Sequence, residues 1–472
     1  MLREESQRLT RRAVLTAAIA GTASLAGCPI GSSPDSEGPA APTVTDQPAD
    51  PAETPEPRFE TTVDMAAAGA ATDGSASITD IVTEHAADDT ALVFPDGRYV
   101  IEPILLSDLQ NFAMMAAPNA NPVFVPAGPV SELGKWVLQL TSVDRLLLEG
   151  ITFDFSKPDH GGMTYVLGTG DFTVRNVRVD GPMPRDTSAF RFEVVERDSR
   201  GLVENLVLKD GSEPESTSVG IYVGSDHAGT LTFRNCEVEN FPNNGLYASS
   251  PGREDALAGA NGPVQVEGGR YRNNNVANVR LGSNGSYVKN AEIVIDEVPP
   301  PINGEINARG IRFRARGGHL VEDCDVRIDH PDVSSLGGIV VHRASRNVRV
   351  RNTSISIESQ SVPAINVLEP DNGSSSSSFE NVEISGAASD GDAVRIIERD
   401  GTTFQGCTIE QPGENRNGLR FERSDQCHVQ GCSVSATAEP LVAIDSSVST
   451  HDTRLRDLDD VRGDGSLEAG VL

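Results

Sequence analysis

From residue 148 onward, one six-residue pattern of apolar and polar positions recurs eleven times. Its first and sixth residues are always large and apolar, and its fourth residue is usually small or apolar. The copies begin at residues 148, 174, 203, 233, 266, 288, 321, 350, 379, 404 and 429. Their mean spacing of about 28 residues is typical of proteins built from stacked repeats.

The third residue of each copy indicates how the backbone turns. It is Asn six times, Gly four times and Asp once, and these residues tolerate a left-handed backbone conformation. Each copy is therefore predicted to form a strand, a one-residue bend and a second strand, with positions one, four and six facing inward. Stacking should place Asn205, Asn235, Asn290 and Asn352 along one edge, where their side chains can hydrogen-bond to one another.

A second pattern precedes most copies and predicts a third strand in each repeat. It includes "GIYV" at 220, "GIRF" at 310 and "GLRF" at 418. Three short strands per repeat, with no helical run between them, resemble the right-handed parallel β-helix of the pectin lyase-like superfamily. The resemblance covers about residues 60–450 and implies an all-β solenoid of about 11–12 coils.

The segment before the repeats is predicted to close the first coil. Residues 78–101 indicate a helix followed by a strand, and Ser77 with Asp80 matches a helix-capping box. "FPDGRYVI" at 94–101 resembles the Pro-x-Gly-x-Tyr strand with which members of the superfamily begin. The helix is expected to cover the end of the stack, because an open end exposes core and strand edges.

A cluster of His, Cys, Asp and Glu at residues 317–330 has the composition of a metal site. In the repeat, however, Cys324 is a core position, Asp323 is the bend and Asp325 faces outward, so these side chains diverge. No metal is expected there. Buried, unpaired thiols are predicted for Cys324 and for the cysteines at equivalent or nearby positions, which are Cys236, Cys407, Cys427 and Cys432.

One outward column of the third strand contains the candidate binding residues. Its five charged positions are all Arg, although the chain holds 69 acidic and 39 basic residues. Neighbouring coils lie about 4.8 Å apart, so Arg280 and Arg312 repel each other unless an anion lies between them. The column is Arg191, Tyr222, Tyr247, Arg280, Arg312, Val340, Asn366, Arg395, Arg420 and Ala443.

This column predicts a groove for an anionic polysaccharide, of the uronic-acid or sulfated kind. Arginine forks fit carboxylates and sulfates, and tyrosines offer faces to sugar rings. Long segments at residues 249–262 and 296–309 are predicted to flank the groove. The alternative is that the arginines are neutralised by outward acids such as Glu193 and Glu422.

Catalysis is less clearly indicated than binding. The column holds no carboxylate pair of the kind that glycoside hydrolysis normally needs, and the polygalacturonase and pectate-lyase signatures are absent. Arg280 and Arg312 are the candidate catalytic residues of a lyase, and His342 is the one His near the face. Candidate Ca²⁺ ligands are Glu305, Asp255 and Asp296.

Three interpretations of function therefore stay open. The first is a polysaccharide lyase or hydrolase, and the second is a non-catalytic glycan-binding protein of the cell surface. The third is a structural or adhesion solenoid. A monomer is expected in each case.

The charge of the chain indicates its surroundings. The net charge is −30, and only four of the basic residues are Lys. An acidic surface with so little Lys is interpreted as an adaptation to very high salt. The same charge disfavours nucleic acid and anionic membranes as partners of the whole surface.

The N-terminus has the pattern of an export signal. "TRRAVL" at 10–15 precedes an apolar run at 13–26, which is too short for a good membrane span. The run ends in "LAGC" at 25–28. This order resembles a twin-arginine signal joined to a lipoprotein cleavage box, which implies a lipid on Cys28 and a location at the outer face of the cell membrane.

These patterns divide the chain into four segments. Residues 1–28 are the signal, and residues 29–57, which contain eight prolines, are a disordered tether. Residues 58–450 are the β-helix, and residues 451–472 are a polar tail.

Overall fold

The computed structural model describes residues 58–373 and 375–459. The chain divides into two units, Met1–Pro55 and Glu56–Leu472, and all described residues belong to the second. The predicted signal, including Cys28, and the whole of the predicted tether lie outside the described residues. The described part contains 42 strands, β1 to β42, and two short helices, α1 and α2.

The strands form three parallel sheets, A, B and C, which each coil visits in that order. Sheet A contains the last part of β8 (Trp136–Glu149). Its other strands are β1 Thr61–Asp64, β3 Thr90–Phe94, β6 Gln110–Ala116, β11 Phe172–Arg175, β14 Arg200–Glu204, β17 Thr230–Arg234, β20 Val264–Glu267, β23 Tyr287–Lys289, β26 Leu320–Glu322, β29 Arg349–Arg351, β32 Ser378–Glu380, β35 Thr403–Gln405, β38 Cys427–Gln430 and β41 Val448–His451.

Sheet B receives the chain after the bend that follows sheet A. Its strands are β2 Asp73–Ser77, β4 Gly97–Ile101, β7 Pro122–Pro126, β9 Thr152–Asp154, β12 Arg178–Asp180, β15 Val207–Leu208, β18 Glu237–Glu239, β21 Arg270–Arg272, β24 Glu292–Ile295, β27 Asp325–Ile328, β30 Ser354–Ile357, β33 Glu383–Ser385, β36 Thr408–Gln411, β39 Ser433–Ala436 and β42 Arg454–Asp457.

Sheet C completes each coil and contains the first part of β8. Its other strands are β5 Ile104–Ser107, β10 Met163–Gly168, β13 Phe190–Val194, β16 Ile221–Val223, β19 Asn244–Ala248, β22 Ala277–Leu281, β25 Ala308–Phe313, β28 Ser335–Val341, β31 Ile365–Val367, β34 Asp392–Ile397, β37 Asn417–Glu422 and β40 Leu441–Ile444. The architecture is a right-handed parallel β-helix, as predicted.

The described residues form fifteen coils, one for each strand of sheet B, so the predicted number of 11–12 is too low. The first three coils turn from sheet A to sheet B through segments that lack the six-residue pattern, such as Pro95–Asp96.

The fifteenth coil has a one-residue bend at Asp452 with a φ of 48°, but a polar Thr450 stands where the pattern has an apolar residue. Its strand β42 ends at Asp457, so the β-helix continues beyond the boundary predicted at residue 450.

The one-residue bend is confirmed in all eleven copies of the pattern. Every third residue has a φ between 48° and 69°, and the pairing of sheet A stacks the bends along one edge. The amide of Asn205 donates to the side-chain oxygen of Asn176 at 2.9 Å, and Asn381 donates to Asn352 at 3.2 Å. The predicted asparagine edge therefore exists, with side-chain hydrogen bonds at these two steps.

Replacing Asn205 with alanine should destabilise the fold by about 1–2 kcal/mol, because a Cβ-bearing residue without a local polar partner is strained in the left-handed region. Glycine at the same position keeps the φ of 52° accessible and should cost less. Urea denaturation of the two variants measures the difference. Equal losses for alanine and glycine would mean that the bend imposes no backbone strain.

The interior is apolar along the described coils. The five cysteines predicted as buried free thiols are confirmed as such, and burial raises the pKa of Cys236 to about 12. His319 is also buried, where its ring stacks on Phe313. No group of three His, Cys, Asp or Glu side chains among the described residues is placed to hold a metal ion.

Helix α1 (Thr79–His85) lies between β2 and β3 and contacts β5, the first strand of sheet C. It takes the place of a sheet C strand in the first coil, which agrees with the predicted capping helix. The predicted capping box is wrong, because the helix begins after Ile78 without a side-chain cap. The other helix, α2 (Val130–Leu133), has four residues, and neither helix of the described part is long enough to cross a membrane.

Candidate anion-binding face

The pairing of sheet C aligns the predicted column from coil to coil. Arg191 pairs with Tyr222, Tyr222 with Tyr247, Tyr247 with Arg280, and Arg280 with Arg312. The column continues through Val340, Asn366, Arg395 and Arg420. The prediction of its last residue is wrong by one position, because Arg420 pairs with Val442 and not with Ala443.

The column also extends toward the N-terminus, which the sequence analysis missed. Arg191 pairs with Tyr165, and Tyr165 pairs with Gln139 in β8. The ring of Trp136 lies 5.8 Å from that of Tyr165, measured between centroids. The strand pattern that revealed the column is absent from β8 and β10, although the aromatic residues themselves could have indicated an extension.

The arginines toward the two ends of the column are neutralised by carboxylates. Nε of Arg191 donates to Glu193 at 2.7 Å, and its guanidinium carbon lies 4.6 Å from the ring centroid of Tyr165. Nε of Arg420 donates to Glu422 at 2.6 Å, and Arg395 lies 3.7 Å from the same carboxylate. For these three arginines, the alternative of a ladder paired with outward acids is confirmed.

The two arginines at the centre differ from those at the ends. Arg280 donates to Oγ of Ser249 at 2.7 Å and to the hydroxyl of Tyr247 at 3.0 Å, and it lies 3.9 Å over the Tyr247 ring. Arg312 has a buried Nε with no hydrogen-bond partner. Within the described part of the chain, neither arginine forms a salt bridge.

Two further arginines join them, and the four are called the central arginine cluster: Arg280, Arg309, Arg312 and Arg314. Nη1 of Arg309 donates to the carbonyls of Val276 and Asn307 at 2.9 and 2.8 Å. Residues 309–316 hold four arginines, and that density is the signal by which Arg309 and Arg314 could have been found. None of the four has a salt bridge among the described residues.

Burial, together with neighbouring positive charge, lowers the pKa of three arginines of the cluster. Burial, followed by the charges of Arg309 and Arg280, lowers the pKa of Arg312 to about 9. Burial lowers the pKa of Arg280 and of Arg309 to about 10, with neighbouring arginines adding to the effect. The guanidinium groups of these three arginines stay protonated at neutral pH. Burying their charge is unfavourable, and a bound anion would offset that free-energy cost.

His342 stands beside the cluster with a neutral imidazole. Its backbone N–H donates to the carbonyl of Phe313 at 2.8 Å, which places it next to Arg314 in the adjoining coil. Burial, and then the charge of Arg312, lowers the pKa of His342 to about 4. At neutral pH its ring is therefore unprotonated.

Three of the four arginines are buried, and Arg314 is exposed. Only 8% of Arg280 and 6% of Arg312 is exposed, whereas outward strand positions were expected to face solvent. The segment at residues 249–263 follows β19, and that at 296–307 precedes β25. They connect to opposite ends of sheet C strands, and Asn275 anchors the second by donating to the carbonyl of Glu305 at 2.9 Å.

The residues predicted to bind Ca²⁺ do not fit that ion. Asp296 forms a salt bridge with Arg272 at 2.8 Å, and Asp255 pairs with Arg253 at 2.7 Å. Glu305 belongs to the segment at 296–307, and Asp255 belongs to the one at 249–263. Within the described ranges, these carboxylates belong to no group of three side chains that could hold a metal ion.

No protein-family model matches the chain, and a search of curated proteins finds no match. Among solved structures, the chain is similar to the A-module of the Azotobacter vinelandii mannuronan C-5 epimerase AlgE4. The identity is 15%, the TM-score is 0.46, and 69% of this chain and 96% of that chain are covered. The A-module of AlgE6 from the same organism has 13% identity and a TM-score of 0.47, with 75% and 97% covered.

A third similar structure is the surface protein and adhesin PfbA of Streptococcus pneumoniae. It has 10% identity and a TM-score of 0.39, with 84% of this chain and 98% of that chain covered. Similarities of this size carry no argument about function. The fold assignment rests on the strand pairing of the chain itself.

Proposed function

We propose that the protein binds an anionic polysaccharide, of the uronic-acid or sulfated kind, on the outer face of sheet C. The observation that carries this proposal is the contrast within the column. Arg191, Arg395 and Arg420 are paired with carboxylates, whereas Arg280 and Arg312 have no such partner among the described residues. Carboxylates are abundant in a chain with 69 acidic and 39 basic residues. That Arg280 and Arg312 nevertheless lack a carboxylate partner favours an external anion.

The side chains on this face have the chemistry to bind an acidic sugar. A guanidinium offers a planar set of donors that matches a carboxylate or sulfate. The rings of Tyr222 and Tyr247 lie 5.4 Å apart beside the cluster and offer apolar faces to sugar rings. In molar salt the Debye length is about 3 Å, so recognition has to rest on direct contacts of this kind.

Cleavage by β-elimination is the second candidate function, and the position of His342 next to Arg314 in the adjoining coil is the observation that favours it. A polysaccharide lyase needs a base to take a proton and positive charge to neutralise the sugar carboxylate. His342 would supply the base, and Arg280 and Arg312 would neutralise the carboxylate. This assignment adds His342 to Arg280 and Arg312, the candidate catalytic residues named from the sequence.

We also propose that the protein is a monomer, is exported and is held at the outer face of the cell membrane by a lipid on Cys28. The twin-arginine and lipoprotein patterns support export and anchoring, and the net charge of −30 with four Lys supports adaptation to high salt. The membrane would then be a partner through the lipid alone.

The proposed function is tested by titrating the protein in molar KCl with polygalacturonate, alginate and chondroitin sulfate, and with neutral dextran as the control. At least one acidic polysaccharide should bind, and dextran should not. Ultraviolet absorbance of unsaturated uronate in the same mixtures would reveal elimination. If none of a broad panel of acidic polysaccharides binds, the binding proposal is wrong and the solenoid is a scaffold.

A further inference from the structure

The cationic part of the column ends abruptly after Arg312. The next position, Val340, has no exposed surface, and Asn366 after it is 5% exposed. At Arg395, one coil further along, 43% of the side chain is exposed again. A Cβ on Gly337 would lie 3.4 Å from Cγ2 of Val340 and 3.5 Å from Cβ of Asn366, so the backbone at the start of β28 lies over the face at these two positions.

The cover is a β-bulge at the start of β28. Ala308 in β25 pairs with Ser335, whereas the next residue, Arg309, pairs with Gly337, so Leu336 is an extra residue. Gly337 has a φ of 143°, and a Cβ there would lie 3.0 Å from the carbonyl oxygen of Pro363. Glycine therefore permits a turn that few other residues could make at this point.

A hydrogen bond holds the bulge against the neighbouring coil. Nδ2 of Asn366 donates to the carbonyl oxygen of Leu336 at 2.9 Å. Asn366 was predicted to bind the polysaccharide, but its donor is engaged in this contact and the residue is buried. Bulges of this kind often re-aim or terminate a strand next to a functional site.

The electrostatics change at the same place. On one side of the bulge, Arg312 has a buried Nε without an acceptor. On the other side, Arg395 and Arg420 share the carboxylate of Glu422. The uncompensated positive charge therefore stops where the cover begins, while Tyr247 and Tyr222 remain half-exposed on the opposite side.

We propose that the bulge at Leu336 makes the central arginine cluster a site for the end of an anionic polysaccharide chain and not for its interior. This inference rests on the proposed function. The terminal acidic sugar lies against Arg280 and Arg312, and the following sugars run over Tyr247 and Tyr222 toward Tyr165. A chain passing straight through the site would have to cross the bulge.

Competition binding tests this directly with the unchanged protein. A fluorescent acidic polysaccharide from the panel above is displaced in molar KCl by the same unlabelled polymer, or by an equal mass of its tetramers. If chain ends are recognised, the tetramers displace the label at a lower mass concentration, by a factor that approaches the ratio of chain ends. Borohydride reduction of the tetramers then shows whether the reducing or the non-reducing end is bound.

Two results would count against this picture, and they are distinguishable. Equal potency of polymer and tetramers per unit mass would overturn end recognition and leave polysaccharide binding intact. Failure of every labelled acidic polysaccharide to bind would overturn the proposed function itself.

Discussion

Replacing Arg280 and Arg312 together with alanine is expected to weaken binding of an acidic polysaccharide by a factor on the order of 100 to 10,000. Each lost charged hydrogen-bond contact should cost roughly 1.5–3 kcal/mol of binding free energy, and about 1.4 kcal/mol corresponds to tenfold. Calorimetric titration of the double variant in molar salt measures the change.

The fold should tolerate this double substitution. Arg280 loses its bonds to Ser249 and Tyr247, but the removal of two neighbouring buried charges offsets part of that loss. Urea denaturation of the variant checks that the fold persists before any loss of binding is interpreted.

The matched control replaces Arg175 and Arg351 with alanine. Both lie in sheet A, where Arg175 pairs with Glu149 at 2.8 Å and Arg351 pairs with Glu322. Their removal changes the net charge by the same amount as the Arg280 and Arg312 substitutions, but on another face. The affinity for the acidic polysaccharide should therefore stay unchanged. Equal weakening in the two double variants would mean diffuse attraction between charges and no localised site.

A second large effect is expected from Arg399, whose replacement by alanine should destabilise the fold by about 3–5 kcal/mol. The side chain is fully buried and donates to the carbonyls of Leu368 and Ser345 at 2.9 and 2.8 Å and to Oγ of Ser375. Without it these buried acceptors lose their partner, which typically costs about 1–3 kcal/mol each, and the loss of the buried charge offsets part of the total. Urea denaturation measures the loss.

Two comparisons isolate the cause of that effect. Arg399→Met refills most of the volume without supplying donors, so it should remain strongly destabilised. Arg423→Ala removes an exposed arginine that pairs with Glu398 at 2.7 Å, and it should produce no comparable loss. A methionine variant as stable as the unchanged protein would show that the hydrogen bonds of Arg399 contribute little.

The repeat was predictable because the same six-residue pattern recurs in eleven coils. A left-handed bend admits few residue types, so Asn205 and Gly150 reveal the corner through their identity alone. The bend fixes the register of sheets A and B, and sheet C follows from the apolar strand after it. Coils that turn without this bend carry no such signal. The strand at 94–101 was predicted from a resemblance, but the number of coils before residue 148 was underestimated.

The site was less predictable because its character depends on which charges find partners. The sequence placed Arg191 and Arg312 in one column, but it could not show that Glu193 neutralises the first while nothing described neutralises the second. The bulge at Leu336 arises from one extra residue in a strand. A residue inserted there looks no different in the sequence from a longer loop.

The most direct test of the central claim is a crystal structure of the protein with a tetrasaccharide of an acidic polysaccharide that binds in molar salt. An oxygen of the sugar carboxylate or sulfate is predicted within hydrogen-bonding distance of the guanidinium of Arg312, with the neighbouring sugar over Tyr247. A tetrasaccharide bound on sheet A or sheet B, with the central arginine cluster unoccupied, would contradict the account.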